Sequence, residues 1–174
     1  MFLTAERLTL LVALSDTYVA ELDREGDDVP PESRLIAVAA APSRRLRTLV
    51  DEVRPVLAPP EPLREDHAEV ARSFRIDGLC ESGAHNAAWN RVDFADRYRE
   101  HLASDRDARA AVDSLCAMLA SGTDLALVGP ERSGELRSHR TILRELLAAR
   151  TDSVRPAEDD HRVGDADDRV DDAG

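Results

Sequence analysis

Two kinds of apolar run alternate along this chain. Continuous stretches of strand length occupy residues 8–14, 34–40 and 124–128, and longer segments with helical spacing lie between them. Leu8-Thr-Leu-Leu-Val-Ala-Leu14 reads as a buried strand, although its length also allows a helix. Ser15 or Asp16 then caps a predicted helix to about Glu25, followed by a loop over 26–31. Arg34-Leu-Ile-Ala-Val-Ala-Ala40 is a second strand, ended by Ala41-Pro42, and a short helix follows over 44–53. Four prolines between Pro55 and Pro62 predict an extended connection, because each fixes φ and lacks an N–H. Residues 62–74 read as a helix with Leu63, Val70 and Phe74 apolar. Residues 78–89 read as a glycine-punctuated loop that turns helical. Asp93 is placed to cap a helix carrying Phe94, Tyr98 and Leu102 on one face. Asp105 or Asp107 opens another helix, with Ala111, Leu115, Met118 and Leu119 inward, and Ser121-Gly122 stops it. The last strand, Asp124-Leu-Ala-Leu-Val128, breaks at Gly129-Pro130. A polar loop runs to Arg137, and a final helix opens on Ser138. Three strands separated by helices predict an α/β fold: a small parallel sheet flanked by helices, in a single compact domain.

The periodicity fades after residue 150. Residues 151–174 hold nine acids and three arginines, with three valines as their sizeable apolar residues. Such a segment buries too little to offset its ordering entropy, so the domain is expected over 5–150 and a disordered acidic tail over 151–174. The chain has 174 residues and a formal charge of −12, from 35 acids against 23 basic residues, all of them arginine. Aromatics are 3%, so the core must be built from Ala, Leu and Val. Abundant Asp, no Lys and few aromatics read as a salt-adapted composition. In molar salt the Debye length falls to about 3 Å, which screens the self-repulsion of an acidic surface. No Lys/Arg run exceeds two residues, so nucleic acid is not an expected partner. The apolar run near the N-terminus is too short to span a bilayer and lacks a basic segment before it, so no membrane association is expected and the location is expected to be cytoplasmic. Cys80 and Cys116 have no CxxC spacing and read as small buried hydrophobes; no metal site is predicted. Neither GxxxxGK nor GxGxxG occurs, and no cofactor is predicted.

The junction between the last strand and helix carries the chemistry. Ser138-His139-Arg140 sets a hydroxyl, an imidazole and a guanidinium at a helix start, where unpaired N–H groups and the helix dipole favour an anion; Arg137 adds charge there. The bland alternative is Ser138 as an N-cap, with His139 and Arg140 pairing with Glu131 or Glu135. Ser138 and His139 point about 100° apart on a helix, which disfavours a nucleophile–base pair between them. His85, Glu131 and His139 are the groups available for proton transfer. His85, Asn86 and Trp89 sit within two helical turns and either bind a ligand or pack a loop and core. Asp16 and Tyr18 either cap and pack a helix or line a site.

Several blocks then recur in order: Asp16-Thr-Tyr-Val-Ala20, Val50-Asp-Glu-Val-Arg-Pro55, Pro59-Pro60, Gly78-Leu-Cys-Glu-Ser-Gly-Ala-His-Asn-Ala-Ala-Trp89, Phe94-Ala-Asp-Arg-Tyr-Arg-Glu-His-Leu102 and Ser138-His-Arg140. Together they resemble the "domain of unknown function 488" family in its haloarchaeal version, over roughly residues 14–148. The resemblance implies a compact α/β domain in a cytoplasmic, often salt-loving host, and no assigned activity. Departures accompany the matches. The family pattern has a Cys-containing turn and then Glu after its last strand, where this chain has Val128-Gly-Pro-Glu131. It has Cys-His-Arg where this chain has Ser138-His-Arg140, and an Arg pair where Ala40 and Ala41 stand. The expectation is an α/β protein with a small-anion or phosphate-ligand site at the last strand-to-helix junction, formed by Asp16, Asn86, Trp89, Ser138, His139 and Arg140. The other reading is a degenerate, non-catalytic binding or interaction module. The sequence leaves open the oligomeric state and whether the protein is an enzyme.

Overall fold

Parallel pairing of the apolar runs organises the molecule. The structure is a computed structural model that describes residues 12–22, 29–130 and 136–154. Its four strands are β1 (Leu14–Tyr18), β2 (Arg34–Ala37), β3 (Glu52–Val53) and β4 (Leu125–Gly129), in the order β1-β4-β2-β3. All pairs are parallel, with Leu14 and Arg34 both opposite Leu125, and Tyr18 opposite Gly129. The helices are α1 (Arg44–Leu49), α2 (Glu61–Ile76), α3 (Glu81–Arg91), α4 (Phe94–Ser104), α5 (Arg106–Ala120) and α6 (His139–Val154). The described residues form one compact α/β domain around this sheet.

Alternation along β2 and β4 divides the core. Ile36, Val38, Leu125 and Leu127 face a thick helical layer containing Tyr98 and Leu102 of α4, Val112 and Leu115 of α5, and Leu143 and Leu147 of α6. Ala37, Ala39 and Val128 face the other way, onto Leu46 of α1. β4 is buried at every position because it lies inside the sheet with both faces covered. The chain leaving β4 enters α6 on the thick side, whereas the chain leaving β2 enters α1 on the thin side. Such a change of side marks the place where open parallel sheets form a crevice at the carboxyl ends of their strands.

Several local expectations are corrected. Ser15 and Asp16 do not cap a helix; they are central residues of β1, bonded in register to Ala126 and Leu127. Their polarity hid the strand, which forms because an interior partner is available to satisfy its backbone. Residues 19–22 turn, while residues 1–11 and 23–28 lie outside the described residues, with most of the expected strand over 8–14 and the end of the expected helix to Glu25. The helix expected over 44–53 stops at Leu49. The Leu35 N–H donates to the Asp51 carboxylate at 2.8 Å and the Asp51 N–H to the Leu35 carbonyl at 3.0 Å, which draws this segment onto β2 as β3. The proline-rich connection contains a 3₁₀ turn at Pro55–Leu57, held where the Tyr98 hydroxyl donates to the Leu57 carbonyl at 2.5 Å. Burial pushes the Tyr98 phenol far above its ordinary value.

The segment expected to turn from a glycine-punctuated loop into a helix within 78–89 does so early, because α3 begins at Glu81 and takes in Gly83. Asp105 caps α5 through a bond from the Ala108 N–H at 2.8 Å, whereas Asp93 precedes α4 in the left-handed region (φ 50°) without a side-chain cap. Cys80 is exposed, not buried: its sulfur accepts the Gly83 N–H at 3.4 Å as the cap of α3. Contacts with the Ser82 hydroxyl and that N–H lower the thiol below its ordinary range, while burial raises that of the partly buried Cys116. No described helix is long and apolar enough to cross a membrane.

Candidate functional site

The first residues of α6 sit over the carboxyl end of β4 and reach its neighbours on both sides. His139 is buried, its ring edge-on to Tyr98 at 5.7 Å, with Nε2 2.8 Å from the carbonyl of Val38 just beyond β2. A carbonyl only accepts, so Nε2 carries the hydrogen and donates. Arg140 turns the other way and donates from Nη1 to the carbonyl of Thr17 in β1. Its Nε and backbone N–H both donate to the Ser138 hydroxyl, at 3.2 and 3.3 Å. The tripeptide therefore straps the ends of three adjacent strands together.

Arg140 is fully buried and passes directly over Gly129. A Cβ at residue 129 would lie 2.6 Å from Arg140 Nε and 2.8 Å from its Cδ, so glycine leaves the space that the guanidinium uses. Thr17 is buried beside it and donates to the Glu21 carboxylate at 3.2 Å. Asp16, on the opposite face of β1, pairs with Arg144 of α6 at 3.0 Å. Arg150 pairs with Asp113 of α5 at 2.9 Å, so the two arginines tie α6 to its neighbours.

A second set of predicted residues gathers on α3. His85 Nε2 lies 3.0 Å from the carbonyl of Arg137, where it donates; Asn86 Oδ1 accepts the Arg137 N–H at 3.0 Å. Asn90 Oδ1 accepts from Arg137 Nη1 at 2.8 Å. One exposed arginine thus has its carbonyl, amide and guanidinium each held by a different side chain of α3. Beneath this grip, His67 Nε2 donates to the His85 carbonyl at 3.0 Å, and its ring lies 4.6 Å from that of His85. Trp89 stacks on Phe94 at 3.9 Å and is nearly buried.

Arg137 and Ser138 open onto a cavity of about 520 Å³ between α6 and the α3–α4 corner. Ser138, Thr141, Ile142 and Glu145 supply one wall, as the spacing of one helix face requires, and Trp89, Ala95 and Arg99 supply the other. Of the predicted site residues, Trp89 and Ser138 line this cavity, and His85 and Asn86 position its Arg137. Asp16, His139 and Arg140 are not among its lining residues. Glu131 lies outside the described residues. Asn90 and Arg99 were missed from the sequence, although the Asn86–Asn90 spacing of four places both amides on one helix face. No group of three or more His, Cys, Asp and Glu residues suited to a metal ion occurs among the described residues.

A family model described as the active DUF488-N3 subclade matches residues 18–151. The chain belongs to the DUF488 family. No curated protein and no solved structure matches it. The family match takes in β2 to β4 and nearly all of α6, and so covers the strap and the cavity together.

Proposed function

We propose that this DUF488 protein binds a small anionic or phosphate-bearing ligand in the cavity beside α6. The observation that carries the reading is the grip on Arg137: an exposed guanidinium fixed by Asn90, on a backbone held by Asn86 and His85, at the mouth of a cavity that begins at the first turn of α6. Fixing an arginine before the ligand arrives reduces the ordering entropy lost on binding. The remaining guanidinium donors suit the planar, paired acceptors of phosphate or carboxylate, and the positive end of the helix dipole adds to them. Arg99 contributes a second cation on the opposite wall. Arg140 belongs to the reading differently from Arg137: its buried charge lies behind the helix start, and its bonds to Thr17 and Ser138 hold that start in place.

A polynucleotide is a poor fit. Its binding would depend on an extended basic track and on counterion release, whereas this chain carries a formal charge of −12. The same lysine-free, acid-rich composition is read as an adaptation to high salt. A second reading, a non-catalytic binding module, draws on the commitment of His139 to the Val38 carbonyl and of Arg140 to the Thr17 carbonyl, which leaves those groups in structural work. The description of the matched subclade as active favours catalysis instead. On that reading His85 is the accessible imidazole closest to Arg137, with Nδ1 as the nitrogen not engaged by the Arg137 carbonyl.

Calorimetric titration of inorganic phosphate against the wild type and Arg137→Ala tests the binding reading. Removal of one charge-assisted contact is expected to weaken binding by about tenfold. Phosphate affinity indifferent to Arg137, or tight binding of DNA or RNA oligonucleotides in molar salt, would overturn it.

A further inference from the structure

We infer that the cavity beside α6 is built for a nucleoside monophosphate whose base carries an amino group. Its phosphate lies at the Arg137 end and its amino group donates to Glu145. The inference rests on the anion-binding reading and specifies its ligand.

The volume of about 520 Å³ is far more than a free phosphate ion needs and lies in the range of sites for organic ligands. The lining changes character along its length. Arg137, Ser138 and Thr141 stand at the first turn of α6, and Leu136, Ile142, Ala95 and Trp89 supply apolar surface. Glu145 lies seven residues beyond Ser138, about 10 Å further along the helix axis at 1.5 Å per residue.

Among the described residues Glu145 forms no hydrogen bond or ion pair, and it is exposed at the cavity wall. Arg137 and Arg99 have partners that leave donors over: Arg137 gives one Nη1 bond to Asn90, and Arg99 pairs with the exposed Asp96 at 3.2 Å. The cavity therefore offers the donors of Arg137 at one end, an apolar stretch with Arg99 on the facing wall, and an acceptor-only carboxylate at the other end.

A ligand complementary to that gradient has an anionic group, a compact apolar body, and an N–H donor set well away from the anion. An extended mononucleotide with an amino-bearing base meets all three requirements. Its planar base has few torsions to freeze, unlike a flexible aminoalkyl phosphate of the same span. A carboxylate accepts readily from the N4 amino group of cytosine but opposes the O4 carbonyl that uracil carries at the same position.

Trp89 is the sole tryptophan and lines the cavity, so its fluorescence reports occupancy. The full-length protein is titrated with cytidine monophosphate, uridine monophosphate and inorganic phosphate, and so are Glu145→Gln and Arg137→Ala. Both substitutions are at exposed positions. Cytidine monophosphate is expected to bind about tenfold more tightly than uridine monophosphate. Glu145→Gln should bring that ratio close to one, and Arg137→Ala should weaken all three ligands. Equal affinity for the two nucleotides, or a ratio unchanged by Glu145→Gln, overturns this inference. If phosphate binding still depends on Arg137, the anion-binding reading survives that result. Loss of Arg137 dependence for every ligand overturns both.

Discussion

At the scale of single residues, the junction after β4 depends on one missing side chain. Arg140 is fully buried, gripped by Ser138 and by the Thr17 carbonyl, and its Nε lies where a Cβ on residue 129 would come within 2.6 Å. Gly129→Ala should therefore force the guanidinium off the strand ends or lift the β4 terminus. Overpacking of this kind costs about 1–3 kcal/mol. A lower urea midpoint with an unchanged slope is the expected result, and an unchanged midpoint would show that Arg140 moves aside without loss. The comparison between Arg137 and Arg140 belongs to this scale as well. The two are three residues apart, and both were read as charge at a helix start. Burial separates them: one is a strap across the sheet, the other a presented cation.

At the scale of elements, α3 to α6 are set by their ends as much as by their faces. α5 begins where the Asp105 carboxylate takes the Ala108 N–H, and the same residue closes α4, so one aspartate serves two helices. Asp105→Ala is expected to destabilise the protein by about 1 kcal/mol, as loss of an N-cap does, while Asp105→Asn or Asp105→Ser should retain most of the stability. Thermal melts of the three variants check this; an alanine variant as stable as wild type would refute the cap's contribution. α3 turns its polar face to a neighbour. His85, Asn86 and Asn90 reach the connection into α6, which links the α2–α3 pair to the sheet end through hydrogen bonds in addition to apolar packing.

At the scale of the whole molecule, charge is the dominant property. With 35 acids against 23 arginines, repulsion opposes compaction wherever it is unscreened. Observed pairs such as Arg97–Asp66 at 2.8 Å and Arg150–Asp113 at 2.9 Å are partly exposed and offset little of it. The melting temperature should rise as potassium chloride is increased from millimolar to molar. A melting temperature that is flat or falls with salt would remove the salt-adaptation reading, and sodium sulfate is unsuitable for this comparison because it also strengthens apolar burial.

The sequence by itself determined the fold class, the two inner strands and the helices whose apolar spacing is regular. Those signals are local: continuous apolar runs for β2 and β4, and a period of 3.6 residues with an aspartate before it for α5. It also marked the β4–α6 junction, because a polar loop and a capping serine are local too. Only the tertiary structure decided β1 and β3, whose polar residues become strands because a neighbouring strand has backbone groups to satisfy. Tertiary contact likewise decided what each site residue does. Helical spacing put Ser138, His139 and Arg140 together, but the partners lie far away in sequence: Val38 for His139, Thr17 for Arg140, and α3 for Arg137. Burial and long-range hydrogen bonding assign those roles, and neither is written in the order of residues within one segment.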